Sequence, residues 1–205
     1  MPPPPAPTPR LPPDNPPPRL YLSPMAEYTF VADRTGELRL DAATRETRYT
    51  EIRAQLSAVL DGEDDLLAAM TSIVCLLHNA FPYFYWTGFY RRIGPAELIV
   101  GPYQGTLGCL RIPFDRGVCG AAARDRRTLI VPDVHAFPGH IACDASSASE
   151  IVVPVLSAAG DLIAVLDVDS SIPDAFDDTD ARHLEAIVAL LSGMEVQPVV
   201  WSPDS

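Results

Sequence analysis

Two kinds of side chain in this sequence could carry chemistry. There are four cysteines, Cys75, Cys109, Cys119 and Cys143, and a set of acids, Glu150, Asp167 and Asp169, at the ends of apolar runs. Cys143 lies in the stretch 131–150, VPDVHAFPGHIACDASSASE, which holds two prolines and a glycine and follows neither a helical nor a strand period. Such an irregular stretch is uncommon inside a compact domain and is usually functional. Cys143 follows His140 by three residues and directly precedes Asp144. A thiolate formed there, beside an imidazolium or under loop N–H groups, would be a nucleophile. One such cysteine alone suits a hydrolase or a transferase. Two more cysteines in loops or at element ends, Cys109 and Cys119, turn the reading toward redox work. A cysteine oxidised to sulfenic acid condenses with a second thiol, and Cys109 and Cys119 are both candidates for that partner. A metal centre is disfavoured. Zinc sites use closely spaced ligand pairs, whereas nine and twenty-three residues separate these three cysteines. His135, His140, Cys143 and Cys119 would make at most a partial site. Cys75 sits in an apolar helical run and reads as a small core residue.

The acids have their own logic. Asp167 and Asp169 are two apart on a run of strand character, so they share a face. Glu150 opens another such run. Solvated strand ends would explain them equally well from pattern alone. The functional reading is a pocket that takes an ammonium group, or a carboxylic acid that protonates a leaving oxygen. Among the aromatic residues Tyr83, Tyr85, Trp86, Phe89 and Tyr90, most are expected in the core. Trp86 and Tyr90 are four apart and point the same way on a strand, so they could wall that pocket.

These residues need a scaffold, and the periodicities supply one. Ile52, Leu56, Val59 and Leu60 recur at helical spacing from Thr44 to Leu60, and Gly62 stops that helix. A second helix starts near Glu63 or Asp64, carries Leu66, Leu67, Met70, Ile73, Val74, Leu76 and Leu77 on its apolar face, and ends at Pro82. Phe84–Ile93 and Glu97–Val100 read as a hairpin around Gly94-Pro95, and 101–108 as a loop. A short extended run at Leu110–Phe114, a small helix at Gly117–Arg124 and a strand at Thr128–Val131 follow. Ile151–Leu156 and Leu162–Val168 form a second hairpin. Asp177–Asp180 cap a last helix whose inner face is Leu184, Ile187, Val188 and Leu191. The connections are too short for parallel crossovers, so the fold class is α+β, an antiparallel sheet flanked by helices.

Composition sets the limits. The 205 residues are 47% hydrophobic and 20% charged, with a net charge of −12 and arginine as the only strong base. An acidic chain without a basic cluster argues against nucleic acid and anionic lipid as partners. No run approaches the roughly 18 apolar residues of a membrane helix, and no signal peptide is visible at the start. A cytoplasmic location with reduced cysteines is the expectation. Residues 1–24 are half proline, which excludes helix and sheet and predicts an extended, disordered tail. Three readings of this tail stand: a solvated tail without a role, which composition favours, a ligand for a proline-reading domain, and a start of translation in the cell at Met25, where patterned sequence begins. A single domain over 40–193 and a short tail over 194–205 complete the expected organisation.

Several motifs together resemble one family. WTGFY at 86–90, GPYQG at 101–105, CLRIPF at 109–114, DRGVCG at 115–120, VPDVHAFPGHIACD at 131–144, SEIVVP at 149–154 and LDVDS at 166–170 look like the free methionine-R-sulfoxide reductases. These are single-domain enzymes of the GAF fold. The resemblance runs from about Tyr49 to Leu191, and the departures at Thr87 and Arg91-Arg92 touch no functional position. It implies that Cys143 is the nucleophile that attacks the sulfoxide sulfur and becomes a sulfenic acid. It implies that Cys109 closes a disulfide with Cys143, that Cys119 is a third cysteine assisting regeneration, and that thioredoxin is the reductant. Glu150, Asp167 and Asp169 would hold free methionine-R-sulfoxide and assist its oxygen, with Trp86 and Tyr90 around its methyl group. No cofactor or metal is implied, and a homodimer is. The alternative is a GAF sensor that binds a small molecule, or signals redox state, without turnover.

Overall fold

The structure, a computed structural model, describes residues 39–139 and 146–196. The chain begins with two helices, α1 (Ala42–Val59) and α2 (Leu66–Ala80), each opened by an aspartate, Asp41 and Asp65, whose carboxylate accepts from a backbone N–H of the first turn. Strands β1 (Trp86–Ile93), β2 (Glu97–Gln104) and β3 (Arg111–Pro113) follow, then α3 (Gly117–Asp125) and β4 (Leu129–Val131). A 3-10 turn at Val134–Ala136 leads toward β5 (Ser149–Leu156) and β6 (Leu162–Ser170). Helix α4 (Asp178–Val188) closes the fold. All six strands pair antiparallel in the order β3-β2-β1-β6-β5-β4. The expected α+β class, an antiparallel sheet with flanking helices, is therefore the observed one.

Period-2 alternation divides the sheet into two differently used faces. On one face Phe89, Ile151, Val153, Val155, Ala164, Leu166 and Val168 meet α1, α2 and α4 in a large apolar core that contains Tyr83 and Phe84. On the other, Trp86, Tyr90, Val152 and Val165 pack with Val118, Cys119, Ala122 and Ala123 of α3. This second core is smaller and borders the buried Glu150 and Asp167. The helical layer has a polar lock of its own. Buried Arg45 of α1 reaches Asp177 and Asp180 at the start of α4, and the Tyr49 hydroxyl donates to Asp180 at 2.8 Å. Asp177 caps α4 and, with Asp180, completes a reciprocal capping box.

Several expectations need adjusting. The stretch 101–104 is not loop: β2 continues through it, with Gly88 opposite Tyr103 and Thr87 opposite Gln104. The pairing slips between Gly88 and Tyr90, a bulge that accommodates Pro102, a residue with no N–H to give to a ladder. The first strand begins at Trp86 rather than Phe84. Cys75 is half-buried rather than a core residue. Residue Glu195 lies alongside Asp65 in a parallel bridge, so the chain stays docked just past 193. Neither the proline-rich stretch 1–24 nor Met25 falls within the described residues, and the same holds for His140, Cys143 and Trp201. No helix among the described residues is long and apolar enough to cross a membrane.

Candidate active site

Register brings the predicted acids together. Glu150 lies opposite Asp169 across β5 and β6, and Val152 lies opposite Asp167. Trp86 of β1 lies opposite Asp169, and Gly88 opposite Asp167. Glu150, Asp167 and Asp169 therefore share the α3 face of the sheet with Trp86 and Tyr90. A pocket opens there, lined also by Tyr85, Ser147 and the start of α3 at Gly117–Cys119.

The aromatic wall is a stack of three. Trp86 lies 5.5 Å from Tyr90 and 5.3 Å from Tyr103, ring centroid to centroid, at 18° and 16° between planes. Gly88 makes this possible. A Cβ at that position would stand 2.4 Å from the Tyr103 Cβ and 2.5 Å from the Trp86 ring, which lies over residue 88. The indole N–H donates to the Thr106 carbonyl at 3.1 Å, which fixes the ring's rotation.

Beneath the wall, three reactive groups meet. The Cys119 thiol lies 3.8 Å from Glu150 Oε1. One oxygen each of Glu150 and Asp167, with the Cys119 sulfur, all lie within 4.8 Å of one another. Glu150 and Asp167 are buried, and Asp167 Oδ1 has no hydrogen-bond partner among the described residues. Asp169 accepts a hydrogen bond from the Ser147 hydroxyl at its Oδ1.

Burial in this small space sets the protonation states. Desolvation pushes the Glu150 carboxyl well above the usual carboxylate range, and the charges of Asp167 and Asp169 add to it. Asp167 is raised by desolvation and then by Asp169. Two carboxyls this close and this dry share protons as a pair. The Cys119 thiol is raised by burial first and then by Asp167 and Glu150. Both effects favour the thiol over the thiolate. The Tyr90 hydroxyl is held protonated by burial and by the Asp167 charge. The arrangement can accept a cation at the unpartnered Asp167 oxygen and deliver a proton from the carboxyl pair.

A family model described as "GAF domain" matches residues 61–193. The chain belongs to the GAF-domain family. It is 42% identical over 155 residues to "GAF domain-containing protein A" of Dictyostelium discoideum, which covers 76% of this chain and 97% of that protein. It is 40% identical over 143 residues to the "Free methionine-R-sulfoxide reductase" of Escherichia coli, over 70% of this chain and 86% of that protein. Among solved structures, the free methionine-R-sulfoxide reductase of Neisseria meningitidis in complex with its substrate matches with a TM-score of 0.69 and 42% identity. That match covers 76% of this chain and 92% of the other. The family resemblance carried by the sequence motifs is borne out, and relatives of that name support an oxidoreductase.

Within this GAF domain, five of the eight predicted site residues, Trp86, Tyr90, Glu150, Asp167 and Asp169, line one pocket with a sixth, Cys119. Cys109, just before β3, is disulfide-bonded, whereas Cys75 and Cys119 are free thiols. Cys143 lies outside the described residues. His135, weighed above as a metal ligand, sits in the 3-10 turn with its backbone N–H donating to Asp133 and does not line the pocket. Tyr103 and Ser147 were missed. Tyr103 was hidden by the apparent loop at 101–108, and nothing in the SSAS run at 146–149 singles out Ser147.

Proposed function

We propose that this protein reduces free L-methionine-(R)-S-oxide to methionine, with Cys143 as nucleophile, Cys109 as resolving cysteine and thioredoxin as reductant. The observation that carries this reading is the buried carboxyl pair, Glu150 and Asp167, beside an aromatic wall. A sulfoxide is a poor electrophile until its oxygen is protonated, and a carboxyl with a raised pKa is the acid that can do this near neutrality. The Cys143 thiolate attacks the sulfur, the oxygen takes a proton from the pair, and methionine leaves as Cys143 becomes a sulfenic acid. The Cys109 thiol then attacks that sulfur, releasing water and forming the disulfide. A reductant dithiol returns both cysteines to thiols and leaves as a disulfide.

The support for Cys109 as resolving partner is that it is disulfide-bonded while Cys119 is a buried thiol with its ionisation suppressed. Cys119 acts as a hydrogen-bond partner of Glu150 rather than as an attacking group. The ammonium of a free amino acid gives the acids their charge partner, with Asp169 fixed by Ser147 and Asp167 Oδ1 open. Methionine within a polypeptide lacks that ammonium. The stacked Trp86 and Tyr90 rings take the S-methyl end, where sulfur–aromatic contact is favourable.

The test is NADPH consumption with thioredoxin and thioredoxin reductase. The free R-sulfoxide should drive turnover, and the S-sulfoxide and oxidised protein should not. A chain that only senses a ligand would bind the sulfoxide with no NADPH consumed, and Cys143→Ser would leave that binding response intact.

A further inference from the structure

Among the described residues, the most exposed large hydrophobic side chains flank one sulfur. Leu107 and Leu110 are 83% and 74% exposed, and they bracket Cys109. The other large exposed hydrophobics among the described residues, Val59, Leu190 and Val196, reach only 36–44% and are scattered. Single exposed leucines are ordinary. Two at this level on either side of a disulfide-bonded cysteine are not scattered.

The segment is also held from below. The Thr106 carbonyl is bound by the Trp86 indole. Gly108 packs so closely on the Trp86 and Tyr90 side chains that a Cβ would stand 2.9 Å from the Tyr90 hydroxyl. The Leu110 carbonyl accepts from the Val100 N–H at 3.1 Å. Held at three points on its inner side, the segment presents Leu110 away from the pocket, while Leu107 lines the pocket and is largely exposed as well. It leads into β3, the last strand of the sheet, whose outer side has no strand partner among the described residues. Charge marks it too. The chain carries 27 acids, yet residues 101–113 contain none, and the exposed Arg111 there pairs with Glu97 of β2 at 2.8 Å.

We infer that Leu107 and Leu110 form the docking ridge for a protein dithiol reductant of the thioredoxin type, which opens the disulfide at Cys109. This rests on the proposed function, which makes Cys109 the resolving cysteine. The reductant's thiolate attacks the Cys109 sulfur and the Cys109–Cys143 bond breaks, releasing Cys143 as a thiolate. The reductant's second thiol then attacks its own sulfur in the mixed disulfide and frees Cys109. The reductant is oxidised by two electrons, and its two protons end on Cys109 and Cys143. On a chain of net charge −12, an apolar ridge whose own segment carries no acid, and whose neighbouring Glu97 is paired with Arg111, offers such a partner contact with little like-charge repulsion.

The test uses Leu110→Glu, since Leu110 does not line the pocket, with Leu190→Glu as a control on an unrelated surface. Turnover is measured with thioredoxin over a range of concentrations and, separately, with dithiothreitol. Leu110→Glu should raise the KM for thioredoxin at least tenfold, with the dithiothreitol-driven rate unchanged, and Leu190→Glu should change neither. A thioredoxin KM within twofold of wild type, with dithiothreitol turnover intact, overturns the docking ridge alone. Absence of turnover with either reductant in the wild type overturns the proposed function and the ridge with it. A change in oligomeric state of Leu110→Glu by sedimentation would assign the ridge to a second copy of the chain and so overturn the reductant assignment.

Discussion

Replacing Glu150 by Gln tests the acid chemistry with little change of shape. The glutamine keeps an oxygen facing the Cys119 thiol, now 3.8 Å from Glu150 Oε1, and an amide that can donate to Asp167. It cannot give up a proton at neutral pH. Positioned general acids contribute about 10²- to 10⁴-fold to rate, equivalent to roughly 2.7–5.4 kcal/mol of barrier. A loss of kcat/KM in that range is expected for the R-sulfoxide. The pH profile should change with it. In the wild type, burial and the neighbouring Asp167 and Asp169 charges keep the Glu150–Asp167 pair protonated above the ordinary carboxylate range, so activity should fall on the alkaline side as the pair loses its proton. The variant should lose that limb and run flat at its low rate. Stability supplies an independent sign. Glu150 has a raised pKa in the fold, so between its unfolded value, about 4.3, and its folded value the unfolded chain binds fewer protons. Stability then falls as pH rises, by up to about 1.4 kcal/mol per pH unit. Glu150→Gln removes that cost, so its melting temperature should equal or exceed wild type at pH 8. An activity within threefold of wild type, with the alkaline limb preserved, would refute the assignment of the proton to this pair.

Other perturbations follow from the same structure. Gly88→Ala places a Cβ against the Trp86 ring and Tyr103. Overpacking of this kind should cost about 1–3 kcal/mol in urea denaturation and raise the substrate KM by displacing the wall. Cys119→Ser should retain a single-turnover yield of methionine close to wild type, read by chromatography after mixing without reductant. Abolished release would show that the thiol attacks after all. Arg45→Ala leaves Asp180 buried without its cation and should destabilise by about 3–5 kcal/mol, measured by denaturation, while kcat of the folded fraction stays unchanged.

The acids and the two wall aromatics were legible because strand periodicity is unforgiving. With one face of the sheet packed on α1, α2 and α4, Leu166 and Val168 must point inward, and Asp167 must point the other way. Spacing of two and four along a strand then places Asp167 with Asp169 and Trp86 with Tyr90. Which strands lie side by side was not legible in those spacings. The adjacency of β1 and β6, which sets Gly88 against Asp167, depends on long-range pairing. The extension of β2 was obscured for a local reason, since Gly101, Pro102 and Gly105 all look like breakers. Pro102 sits where the ladder slips, so its missing donor costs nothing there. The half-exposure of Cys75 was missed because a long apolar face on α2 does not reveal its own edge. The suppressed ionisation of Cys119 comes first from its burial under the sheet and then from Asp167 and Glu150, both more than thirty residues away in sequence, which no local motif encodes.

The most direct measurement is the methionine released from free R-sulfoxide in a single turnover without reductant, by wild type and by Cys143→Ser. The wild type should release close to one methionine per chain and none from the S-sulfoxide, with loss of two thiols and gain of a disulfide containing Cys109. Cys143→Ser should release none. Equal release by the two proteins, or none by the wild type while it still binds the sulfoxide, would contradict a cysteine-based reductase built on this pocket.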